Sequence, residues 1–267
     1  MNFIGLFFVI INSAQAFIPR ASYVIGRVAE QSGKPPYEIN LDVEIITETE
    51  TVSLKETWYI IDNNNMSVHV SGTKNLKGLV DANFIYRNGV RYSELKKDSE
   101  SVFFEPFFHA KSPEEFVKLG QDFRLLPKNV LQKRPYKNNK TGEINFEPFV
   151  RYSKLSGLPQ FLYFDPSQSP GISGLWVEQD SYFVRKIKIR DGLELNVSKY
   201  SQFARGMSYP SERVIKWESN TTRIRTLNVL GKGKDIAGLI KQGTFKIDPL
   251  VASEQRKKIE EFYSKFR

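Results

Sequence analysis

Apolar and polar residues alternate through most of this chain, and the exceptions are confined to a few stretches. Over residues 37–47, Ile39, Leu41, Val43 and Ile45 fall on one side and Glu38, Asn40, Asp42 and Glu44 on the other. A period of two marks a half-buried antiparallel strand. Residues 52–61 continue it, with Leu54, Trp58 and Ile60 on one parity, interrupted by Glu56. Asp62-Asn63-Asn64-Asn65 makes a turn, and Met66, Val68 and Val70 form the next apolar face. Residues 79–87, Asn88-Gly89 and residues 90–92 predict a hairpin, because that dipeptide tolerates the positive φ angles of a two-residue turn. The densest block is 174–248. Its runs at 182–190 and 193–199 meet at Asp191-Gly192, those at 208–218 and 222–230 at Ser219-Asn220-Thr221, and a shorter run covers 243–247. This predicts roughly five consecutive antiparallel strands whose apolar face must cover something. Residues 158–164, bounded by Pro159 and Pro166, read as a strand at an edge or with proline at its start.

Helical spacing is rarer. Residues 22–32 place Val24, Ile25 and Val28 on one stripe, stopped by Gly33 and Pro35-Pro36. Ser112-Pro113-Glu114-Glu115 is a capping box with proline at the first helical position, predicting a helix over 113–121, with a further helical turn at 129–132. After Asp248-Pro249, taken as a cap and first-turn proline, Ile259, Phe262, Tyr263 and Phe266 form one stripe of a closing helix. Between about 93 and 157 the strand pattern degrades, which reads as a helical and loop insertion at one rim. The strands lie too close in sequence for a parallel α/β sheet. The fold class that satisfies the order is mainly β (α+β): a strongly curved antiparallel sheet forming an incomplete barrel, its concave side covered by helices.

Composition adds the compartment. The first residues, Asn2 to Ile11, are an apolar run too short to anchor in a bilayer, followed by Ala14-Gln15-Ala16 at cleavage spacing. The expectation is a signal peptide over 1–16, cleaved after Ala16, and one domain over 17–267. With 267 residues and 40% hydrophobic content, a single core is within reach. There is no cysteine, which removes disulfides, thiol nucleophiles and cysteine-ligated metals. Such a chain suits a bacterial periplasm. The net charge of +9 favours an anionic neighbour, and export favours a membrane surface over nucleic acid.

Signals for catalysis are sparse, so no catalytic residue, metal or cofactor is assigned. His69 lies on a polar parity, and His109, after Phe107-Phe108, reads as a loop or packing residue. Glu44, Glu48, Glu50 and Glu56 read as a solvated strand edge. Nucleophile elbows, phosphate loops and zinc-protease motifs are missing. Arg185 shares the parity of Phe183, Ile187 and Ile189, and a charge on an apolar face is costly unless paired or hydrated. It either lines a cavity and binds a ligand head group, or a bulge shifts the register, or its stem carries the charge to the rim. Candidate cavity walls are Trp58, Ile60, Phe84, Trp176, Phe183, Ile187 and Trp217, against the alternative of ordinary core packing. Lys128, Lys133, Arg134, Lys137 and Lys140 form a basic stretch, either a solvated loop or a contact for anionic lipid.

Six stretches together resemble the LolA/LolB superfamily of periplasmic lipoprotein carriers, which includes regulators of RseB type. They are the strands at 37–46 and Glu56-Thr57-Trp58-Tyr59-Ile60, Gly174-Leu175-Trp176-Val177-Glu178, Phe183-Val184-Arg185-Lys186-Ile187, Pro210-Ser211-Glu212-Arg213-Val214 and Gly243-Thr244-Phe245. The resemblance implies an incomplete barrel, lidded by helices, around a hydrophobic cavity that takes acyl chains. It departs from the family in the length of 93–157, whose basic loop has no family role. The expected function is therefore a periplasmic, non-enzymatic binder of lipid or lipoprotein acyl chains in lipoprotein or lipid trafficking. The alternative is an RseB-like module that grips an inner- or outer-membrane protein partner, and a hydrolase using hidden carboxylates ranks below both.

Overall fold

The computed structural model describes residues 19–32, 35–131, 136–137, 144–145, 149–167, 173–203, 206–231 and 242–267. The leader at 1–16, Lys133, Arg134 and Lys140 lie outside the described residues. The first half runs α1 (Ala21–Glu30), β1 (Tyr37–Ile46), β2 (Thr51–Ile60), β3 (Met66–Gly72), β4 (Val80–Arg87) and β5 (Val90–Tyr92). Then come a 3-10 turn at Glu105–Phe108, α2 (Pro113–Asp122) and a two-stranded ribbon of β6 (Tyr136–Lys137) and β7 (Ile144–Asn145). The second half is β8 (Val150–Leu155), β9 (Leu158–Tyr163), β10 (Gly174–Glu178), β11 (Val184–Arg190), β12 (Leu193–Gln202), β13 (Ser208–Trp217), β14 (Asn220–Gly231), β15 (Thr244–Ile247) and α3 (Ser253–Phe266).

Thirteen of these strands form one open antiparallel sheet in the order β15-β4-β3-β2-β1-β14-β13-β12-β11-β10-β9-β8, with β5 beside β4. Each half is a meander of neighbours in sequence, and the two halves join where β1 pairs with β14. The alternation in sequence becomes the two faces of the sheet. On β1, Tyr37, Ile39, Leu41, Val43 and Ile45 are buried while the residues between them are half-buried. Facing them in register, Leu54 opposes Val43, Trp58 opposes Ile39, and Ile224 opposes Val43 from the other side.

One core runs along this apolar face and takes in all three α-helices. Tyr263 of α3 stacks on Phe84 at 5.4 Å between ring centres, while Phe262 and Phe266 lie 6.3 and 5.8 Å from Trp217. Each such aromatic removed from water contributes about 1.5–3 kcal/mol. The segment at 93–157 joins the same core through Phe104, Phe107, Phe108, Phe116, Leu125 and Leu126. The backbone amides of Asp98 and Val102 also bond to the carbonyls of Ser264 and Lys265 at the end of α3. Its degraded pattern reflects aromatic residues supplied by turns, which have no fixed period.

Local chemistry explains the boundaries. Asn88 and Gly89 both have positive φ, 52° and 76°, as the predicted two-residue turn demands. Ser112 accepts the Glu115 amide at 3.2 Å and so caps α2. Pro159 sits near the start of β9, whose neighbours are β8 and β10. Three expectations are corrected. The run at 243–247 is not the next strand of the meander: β15 crosses to the far edge and pairs with β4, Phe245 opposite Ala82. Asp248-Pro249 does not start a helix. The Asp248 amide is held by the Leu79 carbonyl at 2.8 Å and its carboxylate takes the Leu250 amide, so the chain turns before α3 begins at Ser253. In place of a helical turn at 129–132, a turn closed by Val130 on the Pro127 carbonyl is found, residue 132 lying outside the described residues.

Two glycines test the packing. A β-carbon on Gly72 would lie 1.9 Å from the Leu76 carbonyl oxygen, whereas one on Gly26 of α1 meets nothing. Gly72→Ala is expected to destabilise the protein by about 1–3 kcal/mol, and Gly26→Ala to stabilise it by about 0.5–1 kcal/mol. Urea unfolding of the two variants checks the opposite signs.

Candidate functional site

Alternation forces charges onto the apolar face. Glu56 shares its parity on β2 with Leu54, Trp58 and Ile60, and it is 1% exposed. An unpaired buried carboxylate costs several kcal/mol. Arg267, just beyond α3, supplies the partner: its Nη2 donates to Glu56 Oε2 at 3.0 Å and its Nε to Oε1 at 3.1 Å. Trp58 Nε1 donates to the same carboxylate at 2.8 Å. The guanidinium lies over the rings of Trp58 and Phe262, at 5.2 and 5.3 Å. Burial works against the Arg267 charge, and Glu56 more than offsets it. Glu56 is thus no part of a solvated edge, which corrects the expectation from sequence.

A second buried cluster lies further along the face. Arg213 shares its parity on β13 with Ile215 and Trp217, and its Nη1 donates to Glu105 Oε2 at 2.8 Å. The Tyr209 hydroxyl donates to the other oxygen of Glu105, and His109 Nε2 meets that oxygen at 3.1 Å. The Tyr37 hydroxyl lies 2.5 Å from His109 Nδ1. Burial pushes the Glu105 carboxyl up, but Arg213 and the His109 hydrogen bond outweigh it and hold it well below the usual carboxylate range. Tyr37 and Tyr209 are pushed up, first by burial and with Glu105 adding to it. Two further nitrogens of Arg213, Nε and Nη2, find no partner among the described residues. His109, in the turn that follows Phe108, is therefore a packed residue as expected, and it sits at the sealed centre of a polar network. With Glu105, His109 and Arg213 all at 2% exposure or less, no substrate reaches them in this conformation.

The sequence-derived wall residues divide into two sets. Trp58, Ile60, Phe84, Ile187 and Trp217 all belong to the one core at 0–1% exposure, and of the five only Trp217 borders a described cavity, a small one of about 80 Å³ beside Phe266. Trp176, Phe183 and Arg185 stand apart, half-buried. Trp176 donates to Ser153 Oγ at 3.3 Å, and Phe183 stacks on Tyr200 at 4.1 Å. The pairing of β10 with β11 shifts by one residue between Trp176 and Val177. That bulge turns Val184 inward and leaves Arg185 to bond Glu178 Oε2 at 2.6 Å and the Ser198 carbonyl at 3.2 Å. Of the basic stretch, Lys128 is exposed and Lys137 lies in β6. His69, as expected, is partly exposed and pairs with Asn83 at 3.2 Å. Among the described residues, no three acids or histidines are placed to hold a metal ion.

Glu105, Arg213 and Arg267 escaped the sequence reading. Arg213 carried a signal, since parity puts it beside Ile215 and Trp217. Glu105 and Arg267 lie outside strands, where no period reports burial.

Replacing Glu105 with Gln breaks a buried ion pair, with an expected loss of about 3–5 kcal/mol at neutral pH. The folded-state pKa is depressed, so the carboxylate's contribution is complete above the unfolded value near pH 4 and is lost as pH falls through the folded one. The stability gap between wild type and Glu105→Gln should stay constant from pH 7 to about pH 5 and narrow by pH 3. Urea unfolding at those pH values measures it.

No protein-family model matches the sequence. No curated protein matches it at a significant level. Among solved structures, the chain is similar to a LolA superfamily protein from Nitrosomonas europaea, at 10% identity and a TM-score of 0.45, over 84% of this chain and 99% of that one. It is similar to a Vibrio parahaemolyticus domain assigned to outer membrane lipoprotein sorting, at 9% identity and a TM-score of 0.45, over 82% and 96%. It also shows similarity to the MucA/MucB complex of Pseudomonas aeruginosa, at 10% identity and a TM-score of 0.26, over 80% and 59%. At such identities and scores these likenesses assign neither ligand nor partner. The chain is similar to LolA-superfamily structures.

Proposed function

We propose that this protein is a non-enzymatic binder of lipid or lipoprotein acyl chains, exported to the periplasm after loss of residues 1–16. The sheet is read as strongly curved, an incomplete barrel whose concave side is the apolar face and whose lid is α3 with α1, α2 and the 3-10 turn. The acyl chain would lodge between them, against Trp58, Ile60, Phe84, Ile187 and Trp217. The observation that carries this reading is an open sheet whose apolar face shares one core with side chains of all three helices. Helices pinned at a few points can move as units, whereas sheet pairing cannot be opened piecemeal. Since the wall residues are buried at 0–1% exposure, a chain enters only as the lid lifts and takes over the aromatic contacts of α3. Each CH₂ buried contributes about 0.8 kcal/mol, so part of one chain suffices. Trp176, Phe183 and Arg185 would then lie at the rim, where the guanidinium can meet a head group.

The sealed core also favours a second reading. A regulator that grips a membrane protein by its surface needs no open cavity at rest, and its lid would lift only when lipid arrives.

Mass spectrometry of lipid extracted from protein purified from its native source separates the two. The carrier reading expects acyl lipid at about one per chain or a large fraction of it. Lipid-free protein that takes up none from vesicles would retire that reading, and the regulator reading then expects a membrane-protein partner whose affinity changes with added lipid.

A further inference from the structure

The polar face of the sheet, opposite Trp58 and Phe84, carries a cleft of about 220 Å³ at its centre. Two cross-strand rows floor it. In one, Asp42 of β1 lies between Lys55 of β2 and Arg225 of β14; in the other, Glu44 lies between Ser53 and Arg223. The connection from β3 to β4 walls it, and that wall is fixed in place. The Thr73 amide and hydroxyl both bond the Ser53 carbonyl, at 3.2 and 3.0 Å. Lys74 has φ of 53°, a left-handed conformation that costs a side-chain-bearing residue, and its ammonium is held over the cleft by Ser53 Oγ at 3.0 Å. The close approach of Leu76 to Gly72 makes this fold of the connection possible.

The charges do not cancel. Four cations, Lys55, Lys74, Arg223 and Arg225, meet two acids, Asp42 and Glu44. Glu44 is shared by Arg223 at 3.5 Å and Lys74 at 3.8 Å, both longer than a hydrogen bond. Among the described residues no ion pair engages Asp42, Lys55 or Arg225. A surface row of alternating charges normally closes into pairs. Here the cations stand off around a space of roughly seven waters.

We propose that this cleft binds the phosphate ester of a sugar or similar polyol. Arg223, Arg225 and Lys74 supply charge-assisted donors for the phosphate. Asp42 and Glu44 are acceptor-only groups that suit hydroxyls and would repel a bare anion, and Ser53 and Thr73 extend the polar lining. The site lies on the face away from the acyl reading and is independent of it. Its floor is three central strands, so it is formed before ligand arrives.

The test is calorimetric titration of the full chain at low salt, where surface charges are least screened, with glucose-6-phosphate, glucose and inorganic phosphate. Glucose-6-phosphate is expected to bind saturably, about tenfold or more tighter than phosphate, with glucose silent. Arg223→Gln and Lys74→Gln should each weaken it about fivefold or more, while Lys96→Gln, on a remote loop, leaves it unchanged. All of these side chains are largely exposed, so unchanged thermal midpoints show that the variants fold. Absence of saturable binding, or variants that bind like wild type, overturns the site. Equal affinity for inorganic phosphate and glucose-6-phosphate overturns the polyol assignment.

Discussion

The architecture depends on pairing charge inside an apolar layer. Glu56 and Arg213 are placed on the buried face by the pleat of their own strands, and nothing within the sheet neutralises them. Both partners come from outside the sheet, Arg267 from beyond α3 and Glu105 from the 3-10 turn. A buried pair is a weak source of net stability, because desolvation consumes much of the attraction. What it supplies is position. A greasy helix can slide over a greasy sheet with little change in energy, but a guanidinium that must meet one carboxylate cannot.

This arrangement divides the work between the two halves of the sheet. Glu56 belongs to the first meander and fixes α3, while Arg213 belongs to the second and fixes the segment after β5. The two covering elements are themselves tied together where Asp98 and Val102 meet the end of α3. The aromatic layer of Phe84, Tyr263, Trp217 and Phe266 then fills the space between four fixed points.

The strand skeleton was legible because a two-residue period survives in any window of six or more residues. β1, with its clean alternation, and the Asn88-Gly89 hairpin were readable from local sequence alone. The long-range choices were not. β15 reads like another strand of the last meander, and only the whole sheet reveals that its edge partner is β4. Arg185 sat on the apparent inner parity, yet one extra residue opposite Trp176 reversed the face, and a bulge leaves no mark in the pattern. His109 and Glu105 were opaque for a related reason: in a 3-10 turn neither period two nor period 3.6 reports the buried side. Trp176 was misjudged for a simpler reason: it falls on the half-buried parity of β10, between buried Leu175 and Val177.

The pairing of β1 with β14 sets the order of assembly. Tyr37 finds Gly231 only after nearly two hundred residues of intervening chain have been placed, and until then each meander keeps a bare inner edge. Those edges are the natural templates for mispairing with another copy. Folding of this kind is slow, because distant ends must meet before the contact rewards them. A polypeptide with this seam therefore has most need of a chaperone, or of dilute surroundings, in the interval before its two sheets become one.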